Sequence, residues 1–273
     1  MSLKIAILDL YDGAPNQGMR GFQEILKRYS QQHQLSIDYH IFDVRGKNQF
    51  PSTDFDIYIS SGGPGSPVES EGSEWENNYF NLIDQLEAIN NDPIRTDKKH
   101  VFFVCHSFQL MCRKYKLGNV TKRKSTSFGI FTVNKTEAGQ SEEILSGVPD
   151  PFYTVDSRDW QVIEPNEKQF EAIGATLLAL EKERPHVNLE RCMMAIRFNE
   201  YFFGTQFHPE ADPIGMRQHL LNKEKKQQII EIHGQEKYDE MMFFLEDPEI
   251  LEHTQNQIIP SFLNQAINSM QEA

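Results

Sequence analysis

Four consecutive apolar residues, Val101-Phe102-Phe103-Val104, run straight into Cys105. Successive residues of a strand point to opposite faces, so a strand with no polar alternation has to be covered on both sides, as the inner strands of a parallel sheet are. The preceding chain supports such a sheet. Ile5–Leu10, Leu35–Val44 and Asp56–Ser60 are further short strand-like runs. Between them lie segments with helical spacing, Gly18–Tyr29 (Met19, Phe22, Ile25 and Leu26 on one face) and Trp75–Ile89. Strands alternating with amphipathic helices predict an α/β fold with an open, mainly parallel, flavodoxin-like sheet flanked by helices.

A helix from Phe108 to about Tyr115 is expected after Cys105, ended by a glycine stop in Leu117-Gly118-Asn119-Val120. Residues 127–160 are more strand-like, with turn signals at Ser146-Gly147 and Pro149-Asp150-Pro151. Met193–Phe198 and Phe202–Phe207 read as a hairpin closed by Asn199-Glu200-Tyr201, and its second strand leads into His208-Pro209-Glu210. Beyond Asp212 strand signals stop and apolar residues recur at helical spacing, as at Ile258, Phe262 and Leu263. The expected organisation is a domain over 1–212 with a helical C-terminal extension over 213–273, an appendage and not a second catalytic domain.

The 40 acidic and 27 basic residues leave a formal charge of −13. A surface of that sign repels phosphate backbones, so nucleic acid is not an expected partner. No stretch approaches the roughly 18 apolar residues of a membrane span. The run Lys4–Leu8 meets Asp9 too soon for a signal peptide. Cys105, Cys112 and Cys192 contain no CxxC pair and suggest no disulfide framework, which fits a reducing compartment. A cytoplasmic protein without membrane contact is the expectation. Histidines and cysteines show no zinc-ligand spacing, so neither metal nor cofactor is expected.

Three loops follow strands, at the sheet end where open α/β folds place ligands. Cys105 stands between a buried strand and a helix, on a sharp turn near a helix N-terminus whose partial positive charge favours thiolate. Most free cysteines are instead inert core residues. His208 and Glu210 flank Pro209 in an extended segment and project to one side, as a base and the carboxylate that orients it would; a satisfied surface histidine is the plain alternative. Ser61-Gly62-Gly63-Pro64-Gly65-Ser66 allows close backbone approach and amides aimed at an oxyanion, or equally a phosphate cradle. It comes close to the SGGxDS loop of ATP pyrophosphatases, but Gly65 stands where that motif has Asp, and the Walker pattern is absent.

In this order, the GGPGS loop, Cys105 followed by Gln109, Leu117–Val120 and the terminal Phe207-His208-Pro209-Glu210 resemble the class I, triad-type glutamine amidotransferases. In motif they are most similar to the amidotransferase domain of GMP synthase. The resemblance covers roughly residues 1–211. It implies that Cys105 attacks the side-chain amide of glutamine, that His208 relays the proton, and that Glu210 orients His208. It further implies an oxyanion hole from the amides of Gly63 and His106, and binding of the substrate's amino-acid end by Gly65 and Gln109. A γ-glutamyl thioester would form and water would resolve it.

The chain departs from the family at three places. The usual elbow G-x-C-x-G-x-Q here has Phe103 and Ser107 at its two glycines. Arg158, in Val155–Trp160, stands where the family has the histidine of a Ser-His segment, and Ser127-Phe128-Gly129 replaces Glu-x-Gly. His106 as an alternative base is the less favoured reading, and Cys112 and Cys192 read as packing. The leading expectation is an amidotransferase or glutaminase that acts on glutamine and hands ammonia to a separate synthetase subunit. The alternatives are a stand-alone hydrolase of γ-glutamyl compounds, and an inactive scaffold that binds a partner. The oligomeric state, including a homo-oligomer, is left open.

Overall fold

The computed structural model describes residues 2–186, 188–247 and 249–272. The chain runs through β1 (Ser2–Asp9), α1 (Gly18–His33), β2 (Ser36–Asp43), the single turn α2 (Val44–Lys47), β3 (Ile57–Ser60), α3 (Glu74–Asn91), β4 (His100–Val104) and α4 (His106–Lys114). Then come β5 (Asn119–Lys135), α5 (Glu137–Ser141), β6 (Phe152–Ile163), α6 (Glu167–Ile173), β7 (Thr176–Glu181), β8 (Met193–Arg197) and β9 (Phe202–Thr205). The C-terminal segment is helical: α7 (Pro213–Leu221), α8 (Lys223–His233), α9 (Gln235–Phe244) and α10 (Glu249–Glu272).

Among the described residues nine strands form one open sheet, ordered β2-β1-β3-β4-β9-β8-β7-β5-β6. Its first half, from β2 to β9, is parallel. The expected 193–207 hairpin, β8 and β9, turns the order antiparallel, and β7, β5 and β6 continue it. β4 lies inside the parallel half and is buried on both faces. Val101 and Phe103 join the core under α3 and α4 with Tyr79, Leu82 and Phe108. Phe102 and Val104 join the opposite core with Phe22 and Ile25 of α1.

That second core also contains Ile258, Ile259, Phe262, Leu263 and Ala266 of α10. Phe262 meets Phe102 edge-on at 5.2 Å between ring centres, and the Tyr29 hydroxyl donates to Asn264 Oδ1 at 2.5 Å. The C-terminal segment is thus helical as its spacing implies, but its last helix is no appendage. Of the helices between the parallel strands, α3 and α4 serve one face and α1 the other; α10 completes the cover that a doubly apolar sheet demands. Helices α7 to α9 belong to a separate cluster, in which Leu220, Tyr238 and Met241 pack on Ile130 of β5 and Val155 of β6.

The glycine stop after α4 is also placed differently from the expectation. Lys116 carries the left-handed turn, at φ 56°. Gly118 is required for space: a β-carbon there would sit 2.5 Å from Met193 Cε and 2.7 Å from the Ile163 carbonyl oxygen.

Phe103 has its own solution. It is paired in register with Gly204 of β9. A β-carbon on Gly204 would lie 2.9 Å from Phe198, 3.1 Å from Phe108 and 3.2 Å from Phe103 Cβ. The space that a glycine at 103 would provide under the elbow is supplied by the neighbouring strand, and Phe103 fills it against Phe198 and Phe202.

Gly204→Ala is therefore expected to cost about 1–3 kcal/mol through overpacking. Phe103→Ala in the same chain should return part of that loss, a coupling that urea denaturation of the two single variants and the double variant measures. Phe262→Ala should cost about 3–5 kcal/mol, as core truncation does; a helix merely appended would lose less than about 0.5 kcal/mol.

Candidate active site

β4 and α4 meet at Cys105, whose backbone adopts φ 50° and ψ −97°. For a residue with a β-carbon such a conformation costs on the order of 1–3 kcal/mol and persists only where its surroundings hold it. Here the Cys105 amide donates to the Thr205 carbonyl at 2.8 Å, and its carbonyl accepts from the Gln109 amide at 3.0 Å. Ser107 is part of the support: its hydroxyl accepts from the Val104 amide at 2.8 Å and donates to the Ser60 carbonyl at 2.9 Å. The substitution of glycine by serine in the elbow thus adds a tie between β4 and β3. No side chain caps α4, so its first-turn amides remain available beside the thiol.

β9 leads to His208, whose amide donates to the Val155 carbonyl at 2.9 Å. His208 Nδ1 and Glu210 Oε1 are 2.7 Å apart. Burial opposes charge on this imidazole, but Glu210 and the Cys105 sulfur outweigh it, and the His208 pKa lies well above the ordinary histidine value. The Glu210 main chain is seated against α1 so closely that a β-carbon on Gly21 would lie 2.1 Å from its carbonyl oxygen.

Gly62 shows how tightly these parts converge. A β-carbon there would be 2.9 Å from His208 Cε1, 3.4 Å from Cys105 Cβ and 3.5 Å from the Tyr11 hydroxyl. Gly63 approaches Leu10 equally closely, with a virtual β-carbon 2.2 Å from its carbonyl oxygen. Arg45 braces the loop by donating to the carbonyls of Leu10 at 3.1 Å and Pro64 at 2.5 Å. Cys105, His208, Glu210 and Gly63 all line one cavity of about 510 Å³.

Other expected site residues lie outside the cavity lining. Gly65 has φ +91° and shapes the loop from its exposed side. Gln109 is buried, and its amide nitrogen donates to the Trp160 carbonyl at 3.1 Å and to Gln206 Oε1 at 3.0 Å. The His106 ring is buried, and burial together with Arg45 and Arg113 lowers its pKa to about 3. An imidazole held neutral and away from the cavity has no part as a base there. Cys112 and Cys192 are buried thiols with raised pKa values, that of Cys192 pushed up to about 11 chiefly by burial.

Arg158, in the place of the family's histidine, turns into the interior. Its Nε donates to both Asp156 oxygens at 2.8 and 2.9 Å, and its Nη2 lies 3.5 Å from Glu181 Oε1. The Asp156 carboxylate, which also accepts from the Ser127 hydroxyl at 2.7 Å, belongs to a residue that lines the cavity. Ser127 therefore serves this wall from the position where the family has glutamate.

Sequence reasoning missed Tyr11, Arg45 and Asp156. Tyr11 lines the cavity, and burial, then Glu210 and Cys105, raise its pKa well above the ordinary phenol value, so its hydroxyl stays protonated at neutral pH. Its only sequence signal is its position just past the first strand. Among the described residues no group of three or more potential ligands is placed to hold a metal ion, and no helix is long and apolar enough to cross a membrane.

Solved structures share the fold. The protein SMU.1228c matches with a TM-score of 0.61 at 19% identity, over 98% of this chain and 100% of its own. A glutamine amidotransferase from Thermotoga maritima matches with a TM-score of 0.62 at 15% identity, over 99% of both chains. The glutaminase domain of Trypanosoma brucei CTPS, solved with bound acivicin, matches with a TM-score of 0.57 at 13% identity, over 97% of this chain and 94% of its own. No curated protein matches. The family model for glutamine amidotransferase class-I matches residues 18–227, a span that reaches from α1 into α8. The chain belongs to the class-I glutamine amidotransferase family.

Proposed function

We propose that this protein hydrolyses the γ-amide of glutamine or of a γ-glutamyl compound through a thioester on Cys105. The observation that carries this reading is the meeting of a strained Cys105 with the His208–Glu210 pair under the Gly62–Gly63 loop, in one cavity. Cys105 Sγ, its proton taken by His208, attacks the amide carbon. The oxyanion is held by the amides of Gly63 and His106. His208, kept charged by Glu210, then gives its proton to the departing nitrogen, and the C–N bond breaks. Water, deprotonated by His208, attacks the γ-glutamyl thioester, releases glutamate and restores the thiol.

Gly65 and Gln109 are not the residues we assign to the substrate's amino-acid end. Asp156, the acidic residue on the β6 wall, suits an α-ammonium group, with Arg158 and Ser127 fixing its carboxylate. Delivery of the ammonia to an acceptor would call for a separate synthetase subunit; without one the same chemistry is that of a glutaminase. The inactive-scaffold reading is disfavoured, because a silent site has no need of strain at Cys105 or of a glycine at 62.

Cys105→Ser should lower ammonia release from glutamine by on the order of 10⁴-fold and abolish labelling by a glutamine-mimicking chloroketone; a wild-type chain that neither releases ammonia nor takes up the label would sink the reading. Gly62→Ala pushes directly on the imidazole and should cost about 10²-fold in kcat. His208 has to be charged to protonate the leaving nitrogen, so kcat/KM should fall as pH rises through its raised pKa. Glu210→Gln removes the main cause of that elevation, and the alkaline limb should move to lower pH. A limb that stays in place would show that His208 is not the group being titrated.

A further inference from the structure

The cavity has a second wall that hydrolysis of glutamine does not use. The amine leaving Cys105 has to face His208, since that imidazole protonates it. The chain just past His208 and Glu210 turns at Asp212, which caps α7 through the amides of Ile214 and Gly215 at 3.0 Å each and is tied to Arg20 of α1 at 2.8 Å. From this anchored turn, α7 and α8 fold back over the same cavity and line it with Met216, Leu220, Ile229, Ile232 and Lys225. The α7–α8 side of the cavity is therefore largely apolar, with the Lys225 ammonium group, Gln228 and the imidazoles of His219 and His233 as its polar lining.

Ammonia is a single heavy atom, and such a wall contributes nothing to its departure. A cavity of about 510 Å³ lies in the range that encloses a whole small-molecule ligand. Ile232 lines it while remaining 73% exposed, so apolar surface is presented that a ligand would cover. Among the described residues no Asp or Glu of α7 or α8 joins the lining. The two histidines of this wall, His219 and His233, have lowered pKa values, first through burial and then through Lys225 and Lys237 respectively. The ammonium group of this wall is Lys225, whose Nζ donates to Gln228 Oε1 at 3.0 Å, and it repels a cationic amine and attracts a carboxylate.

Resting on the hydrolytic reading above, we propose that α7 and α8 form a leaving-group subsite, and that the substrates are γ-glutamyl peptides whose second residue has a large apolar side chain and a free carboxylate, as in γ-glutamyl-leucine. The apolar side chain lies against Leu220 and Ile229, and the carboxylate meets Lys225. The chemistry balances as for glutamine: Cys105 Sγ bonds to the γ-carbon, the bond from that carbon to the amino acid's nitrogen breaks, and His208 returns the thiol proton to that nitrogen. Free leucine leaves, and water then releases glutamate.

The test compares kcat/KM of the full chain for glutamine, γ-glutamyl-leucine, γ-glutamyl-leucinamide and γ-glutamyl-putrescine. Burial of a leucine side chain predicts at least a tenfold preference for γ-glutamyl-leucine over glutamine, with leucinamide below leucine and the cationic amine lowest. Ile229→Ser should reduce the ratio of γ-glutamyl-leucine to glutamine turnover at least fivefold, and Lys225→Gln should erase the difference between leucine and leucinamide. Both positions lie on a helix with no buried side chain, so circular dichroism is expected to report an unchanged fold. Turnover of glutamine equal to or above that of γ-glutamyl-leucine overturns the subsite and leaves the hydrolytic reading standing. Preference for γ-glutamyl-putrescine overturns the anionic end. Loss of all turnover together with failure of the chloroketone to label Cys105 removes the hydrolytic reading, and the subsite with it.

Discussion

The backbone of Cys105 is the constraint on which the site depends. A φ of 50° with ψ −97° is unfavourable for any residue with a β-carbon, and only a rigid frame keeps it populated. The frame is the doubly buried parallel half of the sheet. β9 takes the Cys105 amide, β3 takes the Ser107 hydroxyl, and aromatic packing around Phe103 fixes the strand behind it. Without cover on both faces β4 could not be so apolar, and without β4 held on both sides the turn would relax. The role of α10 is best understood here: by covering Phe102 it supports the strand that carries Cys105, at a distance from any chemistry.

The second requirement is a charge kept where solvent would not keep it. Glu210 is buried against α1, and its contact with His208 sustains a cation that burial alone would suppress. Small residues make this possible. Gly18, Gly21 and Gly62 leave room for Tyr11, for the Glu210 main chain and for the imidazole, respectively. Each is a place where a single methyl group would collide with the reacting residues or their supports.

Much of this was legible in the chain because it follows from period and order. The apolar run at 101–104, the glycine loop after β3 and the strand ending in His208 are local signals, and the end of a parallel strand is where they should meet. What was not legible depended on partners distant in sequence. Phe103 stands where the family has glycine, and its compensation, Gly204, lies on another strand. Arg158 stands in the place of a pocket histidine, but nothing local shows that Asp156 and Glu181 take up its guanidinium. Gln109 matches a substrate-binding position by motif alone, since nothing local shows that Gln206 and the Trp160 carbonyl claim its amide. Around 166–181, Asn166 caps α6, Gly174 ends it at φ 69° and an apolar strand follows. These too are local signals, legible in the chain.

The cavity joins two walls of different physical character. The sheet side is polar and internally neutralised: Asp156 is held by Arg158, which Glu181 also faces, and Glu181 is further paired with Arg123 at 3.1 Å. Such a buried network fixes the direction of its carboxylate, because any movement would leave a charge unpaired. The helical side is apolar, and α8 buries none of its residues fully, so its position rests on α7, α9 and the Asp212 cap. A rigid polar wall suits the part of a substrate that must be held in register with the nucleophile. An apolar wall with few internal constraints suits the part that varies and has to leave. On the hydrolytic reading proposed above, recognition of the glutamyl half falls to the sheet, and discrimination between amines to the helices that follow Glu210.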